Sequence, residues 1–98
     1  MDVQRGDIVQ SLNGRDQGKA LFVADQDETY VILVDGKSRR LEHPKRKKRK
    51  HCMFLARDSC RVAEKLQAGE RVTNSDIRRA LAAFKAEVEN QSDETGGG

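Results

Sequence analysis

Short apolar segments separated by turn residues fill the first half of the chain. Five segments have the residue types and spacing of β-strands: Gly6–Leu12, Lys19–Ala24, Tyr30–Val34, Lys37–Glu42 and Cys52–Leu55. The third is the strongest, since all five of its residues are apolar or aromatic. An open sheet of this size would leave exposed edges, so the pattern predicts a mainly β fold, closed into a small curled barrel.

Turn residues lie between these predicted strands. Asn13-Gly14 follows the first strand, and both residues tolerate positive φ. The acidic segment Asp25–Glu28 predicts a loop between the second and third strands. Asp35-Gly36 predicts a two-residue hairpin that leads directly into a returning strand over Lys37–Glu42, which Pro44 then interrupts.

The second half of the chain has helical rather than strand periodicity. Apolar residues predict a first helix over Ser59–Gln67, and Gly69 suits its end. Thr73 and Asp76 have the spacing of a capping box, which predicts the start of a second helix. An apolar stripe then continues that helix to about Asn90 and consists of Ile77, Ala80, Leu81, Phe84 and Val88.

The pattern divides the chain into three parts. Residues 1–56 form the predicted barrel, with a basic loop over residues 37–51. Residues 57–90 form a helical appendage that we expect to pack on the barrel, although its stripe could also pair with a second copy or a partner protein. Residues 91–98 are polar and end in three glycines, which predicts a disordered tail.

Charge is distributed unevenly along the chain. The formal net charge is +3, but residues 37–51 alone contain nine cations and one anion. Cations at this density repel one another unless an anionic partner compensates them, and nucleic-acid phosphates are such a partner. This segment is therefore the first candidate for a binding surface.

Other classes of protein are less compatible with the sequence. No catalytic motif is present, so we expect no enzymatic activity, no cofactor and no small-molecule substrate. His43, His51, Cys52 and Cys60 lack the close ligand pairing of structural zinc sites, and we predict no metal. No apolar run is long enough to span a membrane and no secretory signal is present, so we expect a cytoplasmic protein.

Several motifs occur in an order that resembles a known family. Gly6-Asp7-Ile8-Val9 is followed by Gly14-x-x-x-Gly18-Lys19, and then by Val31–Gly36 and a basic segment. This order resembles the KOW motif, in particular KOW-type large-subunit ribosomal proteins of archaea and eukaryotes. It is closer still to small KOW-domain RNA-binding proteins of Gram-positive bacteria. The resemblance covers roughly residues 3–52, and Ala20-Leu21 stand where many KOW motifs have a further glycine.

The resemblance implies an SH3-like barrel that binds ribosomal RNA, on the ribosome or during its assembly, with ribosomal proteins as further partners. The cations predicted to contact RNA are Arg15, Lys19, Lys37, Arg39, Arg40, Lys45, Arg46, Lys47, Lys48, Arg49 and Lys50. Such contacts recognise the RNA backbone rather than the bases. Tyr30, at a strand start, is the one aromatic residue that we expect to be exposed for stacking.

Three alternatives remain open at this level. The barrel could be a protein-interaction module of the transcription or translation machinery, with the basic segment meeting an acidic protein surface. The helices Cys60–Gln67 and Thr73–Asn90 could form a DNA-binding helix-turn-helix. Lys45–Lys50 also resembles a nuclear localisation signal.

Overall fold

The structure, a computed structural model, describes residues 3–57 and 60–97, with side chains up to Glu89. Its elements, in chain order, are β1 (Asp7–Ser11), β2 (Ala20–Gln26), β3 (Tyr30–Val34), β4 (Lys45–Lys48), a 3₁₀ turn (Arg49–His51), β5 (Cys52–Arg57), α1 (Arg61–Ala68) and α2 (Asn74–Gly97).

The strands form one antiparallel sheet with the order β4-β3-β2-β1-β5. The two outer strands, β4 and β5, are consecutive in the chain and are joined by the 3₁₀ turn. Two register shifts, one in β1 against β5 and one in β2 against β3, interrupt the regular pairing. The mainly β prediction is confirmed at the level of this five-stranded sheet with C-terminal helices.

Each face of the sheet carries its own apolar core. The inner core consists of Val3, Val9, Leu21, Val23, Val31 and Leu33. The helix-side core joins the opposite face to both helices and consists of Ile8, Phe22, Val34, Ala63, Leu66, Val72, Ile77 and Leu81. Because side chains alternate between the two faces of a strand, adjacent apolar residues such as Leu21 and Phe22 can both be buried.

The start of each helix, and the end of α1, agree with the capping residues predicted from the sequence. The Sγ of Cys60 accepts the N–H of Ala63 at the start of α1, and Gly69 ends that helix with a φ of 74°. The capping box is confirmed: Thr73 Oγ1 accepts the Asp76 N–H and Asp76 Oδ2 accepts the Thr73 N–H, both at 3.1 Å. The expected packing of the appendage on the sheet is also observed, since Ile77 is fully buried in the helix-side core.

The end of α2 differs from the prediction. The sequence pattern ends this helix near Asn90, whereas its backbone is helical to Gly97. Residues 91–95 contain no proline or glycine, so polar composition alone does not prevent helical hydrogen bonding. The backbone over residues 91–97 is thus described as helix, where the sequence predicts a disordered tail, and Gly98 lies outside the described residues.

The predicted hairpin at Asp35-Gly36 is also wrong. Residues 37–42 form no strand, and the chain pairs with β3 again only after Pro44, where Lys45 lies opposite Leu33. The reason is the Asp35 carboxylate, which accepts hydrogen bonds from the N–H groups of Lys37 and Arg39 at 2.8 and 2.7 Å and so folds the segment into a compact loop. Part of the predicted basic loop, Lys45–Lys48, is consequently strand β4.

Candidate nucleic-acid interface

Strand β4 separates the basic run into two sets of side chains. Lys45 and Lys47 point to the inner side of the sheet, where Lys45 is half-buried and Lys47 is buried. Arg46 and Lys48 point to the opposite side and are exposed. A strand therefore presents only alternate cations to one partner, which a flexible loop would not do.

Tyr30 holds one of the exposed cations in place. The guanidinium carbon of Arg46 lies 4.2 Å from the centroid of the Tyr30 ring, within the range of a cation–π interaction. Lys48 lies directly opposite Tyr30 in the β3–β4 register, and Arg46 lies opposite the half-buried Ile32. We refer to Tyr30, Arg46 and Lys48 as the strand surface. The aromatic platform expected from the sequence is thus located beside the basic run.

Lys47 is held inside the fold rather than at the surface. Its Nζ donates to the carbonyl oxygen and the Oδ1 of Asn13, both at 2.8 Å, and only 8% of the residue is exposed. The ammonium group therefore connects the edge strand to the loop after β1. An RNA phosphate could reach it only by displacing these bonds.

Arg49 also has structural partners. Its guanidinium donates to the carbonyl oxygens of Asp27 and Val3 at 2.6 and 3.0 Å, and to Gln26 Oε1 at 2.7 Å. These bonds connect the 3₁₀ turn to the N-terminal segment and to the β2–β3 turn. Lys50, the next residue, is exposed on the same 3₁₀ turn.

The two arginines of the predicted fourth strand have carboxylate partners. Arg39 contacts Asp16 Oδ2 through Nε at 3.0 Å and through Nη2 at 2.9 Å, and the Asp16 side chain is only 5% exposed. This ion pair joins the glycine loop after β1 to the loop after β3. Arg40 pairs with Glu42 at 3.1 Å, but both of these side chains are exposed and the pair is therefore weak.

The remaining predicted cations lie around the glycine loop and the Asp35 loop. Arg15 and Lys37 are exposed. Lys19 is half-exposed, and its Nζ lies 3.5 Å from Ser38 Oγ and 3.7 Å from Asp16 Oδ1. The fold thus brings Lys19 and Lys37 together although they are distant in sequence.

Two cations beside this loop were not identified from the sequence. Arg78 and Lys85, both on α2, line a cleft together with Lys19 and Lys37. The signal was present in the helical spacing, because Lys85 follows Ile77 and Leu81 at steps of four residues and so continues the stripe that faces the sheet. The stripe indicated which face of α2 is buried, but not which loop its far end would meet.

The acidic residues of these turns are held in the charged state by hydrogen bonds. Hydrogen bonds from the N–H groups of Tyr30 and Thr29 lower the pKa of Asp27. Burial raises the pKa of Asp35, but hydrogen bonds from Lys37, Arg39 and Ser38 outweigh this effect, so that its pKa is lowered overall. These carboxylates stabilise turns as anions and are poor proton donors.

The histidines and cysteines of the sequence are arranged differently from a metal site. Among the residues that the structure describes, no group of three or more histidine, cysteine or acidic side chains could hold a metal ion. Cys52 is half-buried, and burial raises the pKa of its thiol. Cys60 caps α1.

The described part of the chain contains no helix that is long and apolar enough to cross a membrane. The sequence matches no protein-family model and no curated protein.

Proposed function

We propose that this chain is an RNA-binding protein that contacts the RNA backbone through the strand surface. The observation that carries the proposal is the position of the basic run on an edge strand, where Tyr30 orders Arg46 beside Lys48. Its resemblance to KOW-domain proteins further favours ribosomal RNA, bound on the ribosome or during its assembly.

The chemistry of the strand surface suits a nucleic-acid strand. Arg46 and Lys48 lie two residues apart on the exposed side of β4, so both can neutralise phosphates of the same strand. Arg46 is exposed as well as in contact with the Tyr30 ring, and an arginine side chain of this kind can also stack against a base. Lys50 and Arg15 are exposed as well.

We further propose that the sheet closes as an SH3-like barrel. Three features support this: the five strands are antiparallel, the inner core occupies one face, and a single 3₁₀ turn connects the two outer strands. The Leu12 N–H also donates to the His51 carbonyl at 2.9 Å, which holds the 3₁₀ turn against the end of β1. In such a barrel, β4 presents its outer side to RNA.

The proposed activity is binding rather than catalysis. The carboxylates with perturbed pKa values, Asp27, Asp35, Glu42 and Asp76, are all shifted downwards by hydrogen bonds to their own or neighbouring loops and caps. A general acid near neutral pH requires the opposite shift. The described acidic groups therefore suit structural roles.

A binding titration as a function of salt tests this proposal. The wild-type protein and the double variant Arg46→Ala/Lys48→Ala are titrated with a fluorescent single-stranded RNA of ~20 nucleotides, long enough for one small domain. If both cations contact phosphates, the slope of log affinity against log salt decreases by about 1.4, at about 0.7 per contact, and affinity at ~0.15 M salt decreases roughly 10- to 15-fold. The matched control is Arg61→Ala/Arg79→Ala, which removes two exposed helix cations.

Two results would contradict the proposal. The wild type could fail to bind RNA with a measurable salt dependence, or the strand variant could bind like the control variant.

The ribosomal part is tested separately by sedimentation of tagged protein from a cell extract. We expect the protein to migrate with large ribosomal subunits at low salt and to dissociate at high salt. Retention at the top of the gradient at both salts would contradict ribosome association and favour the protein-interaction alternative.

A further inference from the structure

A second cationic site lies where α2 crosses the end of the sheet. A cleft of about 410 Å³ separates this helix from the start of β2 and from the loop that follows β3. Four cations line it: Lys19, Lys37, Arg78 and Lys85. The single carboxylate in the lining is Asp35, so the cleft carries a net charge of +3.

We propose that this cleft binds a backbone phosphate of the same RNA. Helix α2 would then contribute residues that contact the RNA, in addition to packing on the sheet. The inference rests on the proposed function and deepens it, because it gives the RNA a second contact point. The cleft joins residues from three separate parts of the chain, and Lys85 contributes a cation from outside the basic run.

The carboxylate in the cleft already has hydrogen-bond donors around it. Asp35 Oδ1 accepts the N–H groups of Lys37 and Arg39, and Oδ2 accepts the Ser38 hydroxyl at 2.9 Å. Its remaining charge is offset by Lys19, which contributes to the lowered pKa of Asp35. Repulsion of an incoming phosphate by Asp35 is therefore reduced.

Two of the four cations are available to a ligand. Arg78 is held in place, since it donates to the Gly36 carbonyl at 2.7 Å and to Ser75 Oγ at 3.0 Å. Lys37 and Lys85 are exposed, and among the side chains that the structure describes neither ammonium group has a hydrogen-bond or ion-pair partner. Two exposed ammonium groups suit a phosphate, because lysine binds this anion as a point charge and both can contact its oxygens.

The cleft and the strand surface lie on the same side of the sheet. Tyr30 and Ile32 alternate in step with Val34, which belongs to the helix-side core, and Asp35 in the cleft directly follows Val34. Asp35 follows Tyr30 by five residues, which corresponds to about 17 Å at ~3.3 Å per residue. A single strand that occupies ~4 or more nucleotides can reach both sites.

The test compares two pairs of substitutions in the same RNA titration. The cleft variant is Lys37→Ala/Lys85→Ala, the strand variant is Arg46→Ala/Lys48→Ala, and Arg61→Ala/Arg79→Ala is the control with the same change in charge. Because both lysines are proposed to contact one phosphate, we expect the cleft variant to lose about 0.7 from the salt slope and roughly 4-fold in affinity at ~0.15 M salt. Because Lys37 and Lys85 are exposed, urea unfolding should give the same midpoint for the cleft and control variants.

The outcomes separate this inference from the proposed function. If the strand variant loses affinity and the cleft variant binds like the control, the second site is wrong and the strand surface stands. If only the cleft variant loses affinity, the inference holds and the strand surface is wrong. If the wild type does not bind the RNA, both are wrong.

Lysine acetylation gives an independent readout that does not depend on a substitution. Bound RNA should protect Lys37 and Lys85 from acetylation, as measured by mass spectrometry, and should leave the half-buried Lys65 of α1 unchanged. Equal acetylation of Lys85 with and without the same RNA, under conditions in which Lys48 is protected, would overturn the proposal.

Discussion

Two arginines three positions apart in the basic run should have opposite roles. The sequence assigns both Arg46 and Arg49 to RNA binding, whereas the structure places Arg46 on the exposed side of β4 and holds Arg49 in three hydrogen bonds. Replacing either by alanine removes the same side chain and the same charge. Any difference between the two variants therefore reports on position alone.

The structure indicates the size of each effect on stability. Arg49→Ala removes three hydrogen bonds within the fold, each of which contributes about 1 kcal/mol net. Because Arg49 is partly exposed, water replaces some of these bonds. We therefore expect the free energy of unfolding to fall by about 2 kcal/mol. Arg46 loses a cation–π contact at an exposed site, worth about 0.5–1 kcal/mol. In thermal unfolding of a domain this small, the first loss corresponds to roughly 10 °C and the second to about 4 °C.

RNA affinity should follow the reverse order. Arg46→Ala should lower the salt slope by about 0.7 and reduce affinity about 4-fold at ~0.15 M salt, whereas Arg49→Ala should leave the slope unchanged at temperatures where it is folded. Circular dichroism melting curves and fluorescence anisotropy on the same preparations check both properties. The assignment would be refuted if Arg49→Ala had the same melting temperature as the wild type, or if it lowered the salt slope as much as Arg46→Ala does.

Three further predictions concern the framework of the site. Gly36→Ala should lower the free energy of unfolding, measured in urea, by about 1–3 kcal/mol, because φ is +76° and the new Cβ would lie against the Asn74 carbonyl oxygen. Gly18→Ala is the control: its φ is similar but no atom lies near the new Cβ, so the loss should be smaller. Asp35 has a lowered pKa, so its contribution to stability is present above about pH 4 and is lost as the pH falls through its pKa in the folded protein. The melting temperature of Asp35→Asn should therefore depend less on pH between about pH 5 and 3 than that of the wild type. An unchanged pH dependence would contradict this. Burial raises the pKa of the Cys52 thiol, so iodoacetamide should modify it more slowly in the folded protein than in urea near pH 8. Mass spectrometry measures both rates, and equal rates would contradict this effect of burial.

The elements with regular apolar spacing were predictable from the sequence. The bounds of Tyr30–Val34 agree with β3, the Thr73–Asp76 capping box begins α2 as expected, and the stripe from Ile77 faces the sheet. In each case the signal is local, because strand alternation and cap geometry depend on residues within one or two turns of each other.

Strand β4 was not predictable in the same way. Four consecutive cations have no apolar alternation, and their mutual repulsion favours a solvated loop. The strand forms because the edge of β3 supplies backbone partners, while Asn13 and Tyr30 provide contacts for Lys47 and Arg46. All of these partners are distant in sequence, so composition alone could not indicate the strand.

The residue types available for binding follow from the amino-acid sequence: a dense basic segment, one aromatic residue at a strand start and an amphipathic C-terminal helix. Which cations remain exposed depends on the folded arrangement, since Lys47 and Arg49 form hydrogen bonds within the fold while Arg46 and Lys48 face outwards. The same structure brought Lys85 to the Asp35 loop. The physical reason is that side-chain alternation becomes known only when strand pairing is known, and the strand pairing depends on contacts between distant segments of the chain.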